Sequence, residues 1–261
     1  MKNYSVDIEG AKLDVIEYGE GDIALIFLHY WGGTSRTFQP VMRRLSDSFR
    51  CIAFDQRGWG RSSRDGDFSL ASYAADTALL IDKLGVKRHV LVGHSMGGKV
   101  AQLVASEHRT GLLGLALIAP APPSPMPVPE ARRQAIFESY QSREGVKSVL
   151  SILSKKSLDE TLYEQVIEDT LGGAPEAKSS WTGEGMLADI SPAARRISVP
   201  SVVIVGDEDV VETESRLREE MPKAIADVTF DVLPGLGHLA PLEGPDAVAG
   251  AIRRFVLGLA G

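Results

Sequence analysis

The chain has 261 residues, of which 44% are apolar and 24% charged, with a net charge of −7. That composition belongs to an ordinary globular protein rather than a disordered one, and the length is enough to bury a core without disulfides or metal. The acidic balance argues against nucleic acid or an anionic membrane surface as partner.

The N-terminus, Met1–Asp7, has no apolar h-region and no small-residue cleavage site. No apolar run approaches the ~18 residues of a membrane helix, so a cytoplasmic protein is expected. Tyr4–Ile8 and Lys12–Tyr18 alternate in polarity and close on Gly19-Glu20-Gly21, which predicts an antiparallel hairpin at a sheet edge. Strands are expected at Ala24–Leu28, Arg50–Phe54, His89–Val92, Leu115–Ala119, Ser201–Val205 and Val228–Val232. Cys51, the single cysteine, is expected as a buried strand residue; it permits no internal disulfide and no Cys-rich metal spacing exists. Helical spacing marks Leu70–Leu84, a helix leaving Ser95 and running through Ala101–Ala105, and a terminal amphipathic helix over Asp246–Leu257. This alternation predicts an α/β fold with a mostly parallel central sheet flanked by helices.

One segment breaks the rhythm. Pro120-Ala121-Pro122-Pro123-Ser124-Pro125-Met126-Pro127-Val128-Pro129 can be neither helix nor central strand and reads as a semi-rigid linker. Helical patterns follow at Glu130–Gln141, Val146–Ser154 and Leu158–Leu171 before the next strong strand. The expected organisation is a core of residues 1–119 and 200–261, with residues 120–199 inserted as a helical cap.

The chemistry-bearing signal is Val90-Leu91-Val92-Gly93-His94-Ser95-Met96-Gly97-Gly98-Lys99. A strand that runs through Gly-x-Ser-x-Gly straight into a helix lifts the central side chain above the sheet and crowds the backbone around it. The Met96 amide is left near the Ser95 oxygen, at a helix N-terminus that favours negative charge. A dinucleotide or phosphate loop would need other spacing. Serine is a weak nucleophile without a base. Among the five histidines, His89 and His108 are expected as partly solvated bystanders, and His94 diverges from Ser95 at the turn. His238 sits after the last strand, at the sheet edge where Ser95 emerges. Asp207 and Asp209, in Gly206-Asp207-Glu208-Asp209 past another strand, could each orient that base. The loop Leu28-His29-Tyr30-Trp31-Gly32-Gly33 offers the Trp31 amide as second oxyanion donor, with His29 in a structural role.

These motifs together resemble the α/β-hydrolases, in the family's chain order Ser95, Asp209, His238. Asp55-Gln56-Arg57-Gly58-Trp59-Gly60-Arg61-Ser62 is similar to the family's Asp-x-Arg-Gly-x-Gly-x-Ser loop, whose role is mainly structural. The family's Gly-x-x-Asp element selects Asp209 as the acid. The chain departs from it at His29-Tyr30, where relatives commonly show His-Gly, and Tyr30 becomes a candidate acyl-pocket residue. Ser95 in place of Asp speaks against haloalkane dehalogenases and epoxide hydrolases.

The resemblance implies a cofactor-free, metal-free serine hydrolase, closest in pattern to capped esterases and haloperoxidase-like perhydrolases. Its expected partner is a small-molecule substrate, with homo-oligomer formation left open. Met126, Tyr140, Trp181 and Met186 are candidate cap residues facing a small or medium apolar acyl group. A carbon–carbon bond hydrolase is an alternative. Its substrates usually carry carboxylates, so Arg132, Arg133, Arg143 or Lys147 would then face Ser95. A ligand receptor that keeps the hydrolase shell is the further alternative.

Overall fold

A five-residue run such as Ala24-Leu25-Ile26-Phe27-Leu28 has no polar face to give to water, so it must be covered on both sides. The computed structural model, which describes residues 1–108 and 110–259, places it as β3 near the middle of an eight-stranded sheet. In chain order the elements are β1 (Lys2–Ile8), β2 (Ala11–Tyr18), β3 (Ala24–Leu28), α1 (Gln39–Leu45), β4 (Arg50–Phe54), α2 (Leu70–Lys83), β5 (His89–His94), α3 (Met96–Ala105) and β6 (Leu112–Ile118). The insert then carries α4 (Glu130–Ser139), α5 (Arg143–Leu153), α6 (Glu160–Gly172), α7 (Pro175–Ser180) and α8 (Ser191–Ala194). The chain returns with β7 (Ser201–Gly206), α9 (Glu214–Glu220), β8 (Val228–Leu233), α10 (Ala240–Glu243) and α11 (Pro245–Gly258).

The strand order is β1-β2-β4-β3-β5-β6-β7-β8. β1 and β2 form the expected hairpin, β2 runs antiparallel to β4, and β3 to β8 run parallel to one another. Because β4 and β5 lie on opposite sides of β3, the winding reverses there, and a crevice opens at the strand C-termini. Register sets what meets at that crevice: Leu28 lies beside Gly93, His94 beside Ile118, and Gly206 beside Leu233.

Alternate side chains of each strand feed two cores. Ile26, Leu91, Leu115 and Val203 pack on the side of α2 and α3, whereas Leu25, Val90, Ala116 and Val202 pack on the side of α1 and α11. Cys51 is buried on the second side as expected, and burial pushes its thiol up to about 12. A third, smaller cluster joins Val146, Leu150 and Ile167 of the insert to Tyr30, Leu239 and Leu242. Among the described residues no helix is long and apolar enough to cross a membrane.

Local chemistry sets the helix starts. Ser69, Ser142 and Asp159 each accept a hydrogen bond from the main chain of their helix's first turn, opening α2, α5 and α6. The caps begin α5 at Arg143 rather than at Val146, and α6 at Glu160 rather than at Leu158. β6 stops at Ile118 instead of Ala119, which turns sharply at φ 40. The Pro-rich stretch beyond it is not a free linker. Residues 120–123 are buried, the Ala121 N–H donates to the Ser95 carbonyl at 3.0 Å, and the Met126 N–H donates to the Met186 carbonyl at 2.7 Å.

The loop after β4 is tied down by charge. Arg57 donates to Asp76 on α2 through Nε (2.9 Å) and Nη2 (2.6 Å), and both residues are buried. Removing one partner leaves the other charge stranded in the interior, so Asp76→Ala should cost about 3–5 kcal/mol in urea unfolding. Replacing both partners by apolar residues, as in Arg57→Met with Asp76→Leu, should cost clearly less than the single change. Equal losses would show that the pair is not what holds the loop.

Candidate active site

Ser95 sits between β5 and α3 with φ 53 and ψ −117, a conformation that L residues seldom adopt. The surroundings impose it. A Cβ at Gly93 would lie 2.5 Å from the Gly97 carbonyl oxygen, and one at Gly97 would overlap the carbonyl oxygens of Leu28 and His29. Only glycine lets the end of β5, the start of α3 and the end of β3 approach so closely. The turn leaves the Ser95 hydroxyl partly exposed in a cavity, at the N-terminus of α3.

His238 and Asp209 reach the same place from the loops after β8 and β7. His238 Nε2 lies 3.0 Å from Ser95 Oγ, and its Nδ1 lies 2.8 Å from Asp209 Oδ2. A carboxylate only accepts, so Nδ1 carries the proton and Nε2 is free to accept from the hydroxyl. The second Asp209 oxygen accepts from the main-chain N–H of Val211 (2.8 Å) and Glu212 (3.0 Å). Asp207 is exposed and accepts instead from the Gly235 N–H at 2.6 Å, and the imidazole's hydrogen bond goes to Asp209.

Electrostatics follow from this burial. Burial is the largest single influence and pulls the His238 imidazole down, but the adjacent Asp209 carboxylate, Glu212 and Glu243 together outweigh it and hold the ring above its ordinary 6.5. Burial likewise raises Asp209, and the imidazole with the two main-chain donors brings it below the usual carboxylate value. His94 has no such partner. Burial and the neighbouring His238 push it down to about 3, and as a neutral ring it donates from Nε2 to the His238 carbonyl at 2.8 Å. His29 is also held neutral by burial, at about 4; its Nε2 accepts from the Gln56 N–H at 3.0 Å and its Nδ1 donates to the Tyr30 carbonyl at 2.8 Å. His89 is fully buried at the start of β5, against the expectation of solvation, whereas His108 is exposed and lies 3.2 Å from the Ser198 hydroxyl.

The cavity over Ser95 and His238 has a volume of about 260 Å³. Tyr30, Met126, Tyr140, Trp181 and Met186 all line it, as does Trp31. The Tyr140 ring stacks on Trp31 with centroids 3.7 Å apart, which fastens the insert to the loop after β3. Among the described residues, neither the Trp31 nor the Met96 main-chain N–H donates to a protein acceptor. The loop takes its left-handed residue at Gly32, with φ 98, and Tyr30 needs no positive φ, so a side chain is accommodated there. Among the described residues no group of three or more His, Cys, Asp or Glu side chains is placed to hold a metal ion.

Residues 25–251 match the family model described as the alpha/beta hydrolase family. The chain belongs to that family. This hydrolase is 28% identical, over 96% of its length and 94% of the relative's, to a 2-(acetamidomethylene)succinate hydrolase of Mesorhizobium japonicum. It is 26% identical to a bifunctional esterase/perhydrolase of Acinetobacter calcoaceticus, over 97% and 99% of the two chains. A thermophilic esterase from Thermogutta terrifontis superposes with a TM-score of 0.85 at 27% identity, covering 99% of both chains.

Sequence reasoning missed part of the hydrolase cavity. Val210, Val211 and Glu212 line it directly after Asp209, a position their numbering alone could have suggested, while Ile136, Val149 and Ile152 enter only through the packing of α4 and α5. Glu212 is buried, and burial pushes its carboxyl up to about 7 against the pull of Arg216, 3.2 Å away. Of the four basic insert residues considered, only Arg132 borders the cavity. Arg133 donates to the Val128 and Thr182 carbonyls, Arg143 pairs with Glu164, and Lys147 lies 3.8 Å from Glu144.

Asp209→Asn removes the strongest upward influence on His238 and leaves burial to pull it down. The imidazole, followed by NMR titration, should move from above 6.5 in the parent to a lower value in the variant. An unchanged titration would mean that another group sets it.

Proposed function

We propose that this hydrolase cleaves a small or medium apolar carboxylic ester through an acyl-enzyme. Ser95 is the nucleophile, His238 the general base and then acid, and Asp209 the carboxylate that orients the imidazole. The observation that carries this reading is the unbroken relay from Ser95 Oγ to His238 Nε2 (3.0 Å) and from His238 Nδ1 to Asp209 Oδ2 (2.8 Å).

Ser95 Oγ attacks the ester carbonyl carbon while its proton passes to His238 Nε2. The resulting imidazolium is stabilised by Asp209, which keeps its own negative charge. The oxyanion is held by the Trp31 and Met96 amides, each such donor being worth roughly 3–4 kcal/mol in related chemistry. As the carbonyl re-forms, the bond to the leaving oxygen breaks and His238 gives that oxygen its proton. Water then adds to the acyl-enzyme with His238 again taking a proton, and the acid leaves as Ser95 Oγ recovers one. The mostly apolar lining supports an uncharged acyl group, and the esterase and esterase/perhydrolase relatives support the reaction type.

One observation favours a second reading. Arg132 is exposed at the cavity edge and pairs with no carboxylate among the described residues, and one relative is named for a substituted succinate, a dicarboxylate. Against an anionic substrate stands the mostly apolar lining of the same cavity. A neutral ester should therefore be cleaved with higher kcat/KM than its ω-carboxylate analogue, and Arg132→Ala should leave that preference in place. Preference for the charged analogue, lost in Arg132→Ala, would favour carboxylate-bearing substrates, including those cleaved at carbon–carbon bonds.

Ser95→Ala should lower kcat on a short activated ester by roughly 10⁴-fold or more without loss of fold by circular dichroism. Near-normal turnover by that variant would refute the assignment. The base must be neutral to act, and its pKa is raised in the fold. The rate should therefore rise with pH through an inflection above 6.5 and fall away on the acid side. An acid limb inflecting well below that value would show that His238 is not the titrating group.

A further inference from the structure

A second cavity of about 280 Å³ lies beside the first, walled by Phe68, Leu70, Tyr73, Met96, Trp181 and Ile190. Its lining is almost wholly apolar, and it opens outward between Ser69, Ala71 and Glu184. Among the described residues, Trp181 is the only one that lines both cavities. The partition is thin elsewhere too: Ser95 lines one space and Met96 the other, and Met186 lines one and Gly185 the other.

The partition is buried and also locally irregular in its backbone. Trp181 opens a π-helical turn over Trp181–Gly185, closed by the Met186 N–H on the Trp181 carbonyl at 2.9 Å. Such turns are rare and cluster at functional sites. Gly185 lies under the indole, where a Cβ would meet Cε3 at 2.5 Å, and a side chain at Gly183 would meet nothing within 4 Å. Among the described residues the Trp181 indole has no ring partner and its N–H no protein acceptor, in contrast to Trp31 under the Tyr140 ring. Swinging it therefore breaks no hydrogen bond. Each cavity alone falls short of the ~300 Å³ at which small-molecule sites begin, and joined they exceed it.

We propose that Trp181 is the gate of a single acyl channel: with the indole swung aside, an unbranched acyl chain bound at Ser95 runs past Met96 into the second cavity. The proposal rests on Ser95 and His238 acting as described above. It assigns the channel to the acyl side because the leaving oxygen must be protonated by His238 and so lies on the His238 side of the first cavity. The second cavity draws its walls from α2, α3 and the insert and has none from the loops of His238 or Asp209. Trp181 is thus a specificity-determining residue for chain length.

The test is a series of p-nitrophenyl esters from acetate to decanoate, run on the full chain and read as the ratio of kcat/KM for octanoate over acetate. Trp181→Ala should raise that ratio by about 10-fold or more, with Trp181→Leu in the same direction should the alanine variant fold poorly. Ile136→Ala, which widens the first cavity without opening the partition, should change it much less. Adding Ala71→Trp at the outer rim of the second cavity should cancel the gain made by Trp181→Ala. An active Trp181 variant with the parental ratio, or a gain that Ala71→Trp leaves untouched, overturns the gate while leaving the Ser95 reading intact. No turnover of any ester by the parent chain removes both.

Discussion

The rest of the site depends on one strained residue, Ser95, held with positive φ between a strand and a helix. A backbone conformation of this kind costs on the order of 1–3 kcal/mol and survives only where the surroundings over-determine it. Here they do. The Ser95 N–H donates to the Ile118 carbonyl at 3.0 Å, and its carbonyl accepts from the N–H groups of Gly98 (2.9 Å) and Ala121 (3.0 Å). The flanking glycines let three segments of backbone close on the turn, and the buried start of the Pro-rich stretch seals it from the far side. The placement of the Ser95 hydroxyl is therefore a property of packing.

Around that turn, sheet topology does the assembling. The winding reverses at β3, so the loops after β3 and β5 open beside each other and leave Trp31 and Met96 near the same point. The parallel run from β5 to β8 brings the loops of Asp209 and His238 to that rim, with the insert α4–α8 spanning the connection between β6 and β7. Charge then sorts the imidazoles. His238 has a carboxylate at 2.8 Å and is held above its ordinary value, whereas His94, equally buried but without a carboxylate partner, is driven far below it.

The strands and the three central side chains were legible because their signals are local: apolar runs, a Gly-x-Ser-x-Gly turn, and loops that directly follow strands. The family pattern, rather than spacing, separated Asp209 from Asp207, and the geometry of the loop gives the physical reason, since Asp207 spends its oxygen on the Gly235 amide. What was not legible depends on contacts between distant parts of the chain. Nothing near His94 announces that it will hold the His238 carbonyl, and nothing near residues 120–123 announces a buried seal instead of a linker. Short helices such as α1, α7 and α9 carry too few turns for periodicity to stand out. The π-helical turn at Trp181 has no sequence signature beyond its glycines.

The third apolar cluster has a mechanical corollary. It unites α5 and α6 with Leu239 and Leu242 around the His238 loop. Glu243 reinforces it by accepting from the amides of Gly237, Lys155 and Lys156 at 2.9–3.0 Å. The α5–α6 part of the roof and the imidazole-bearing loop are therefore joined by an apolar patch smaller than the two cores that hold the sheet. Such patches open below the global unfolding free energy. Mild denaturant would then silence the protein while its central sheet remained intact, and restoring the roof would restore the imidazole with it.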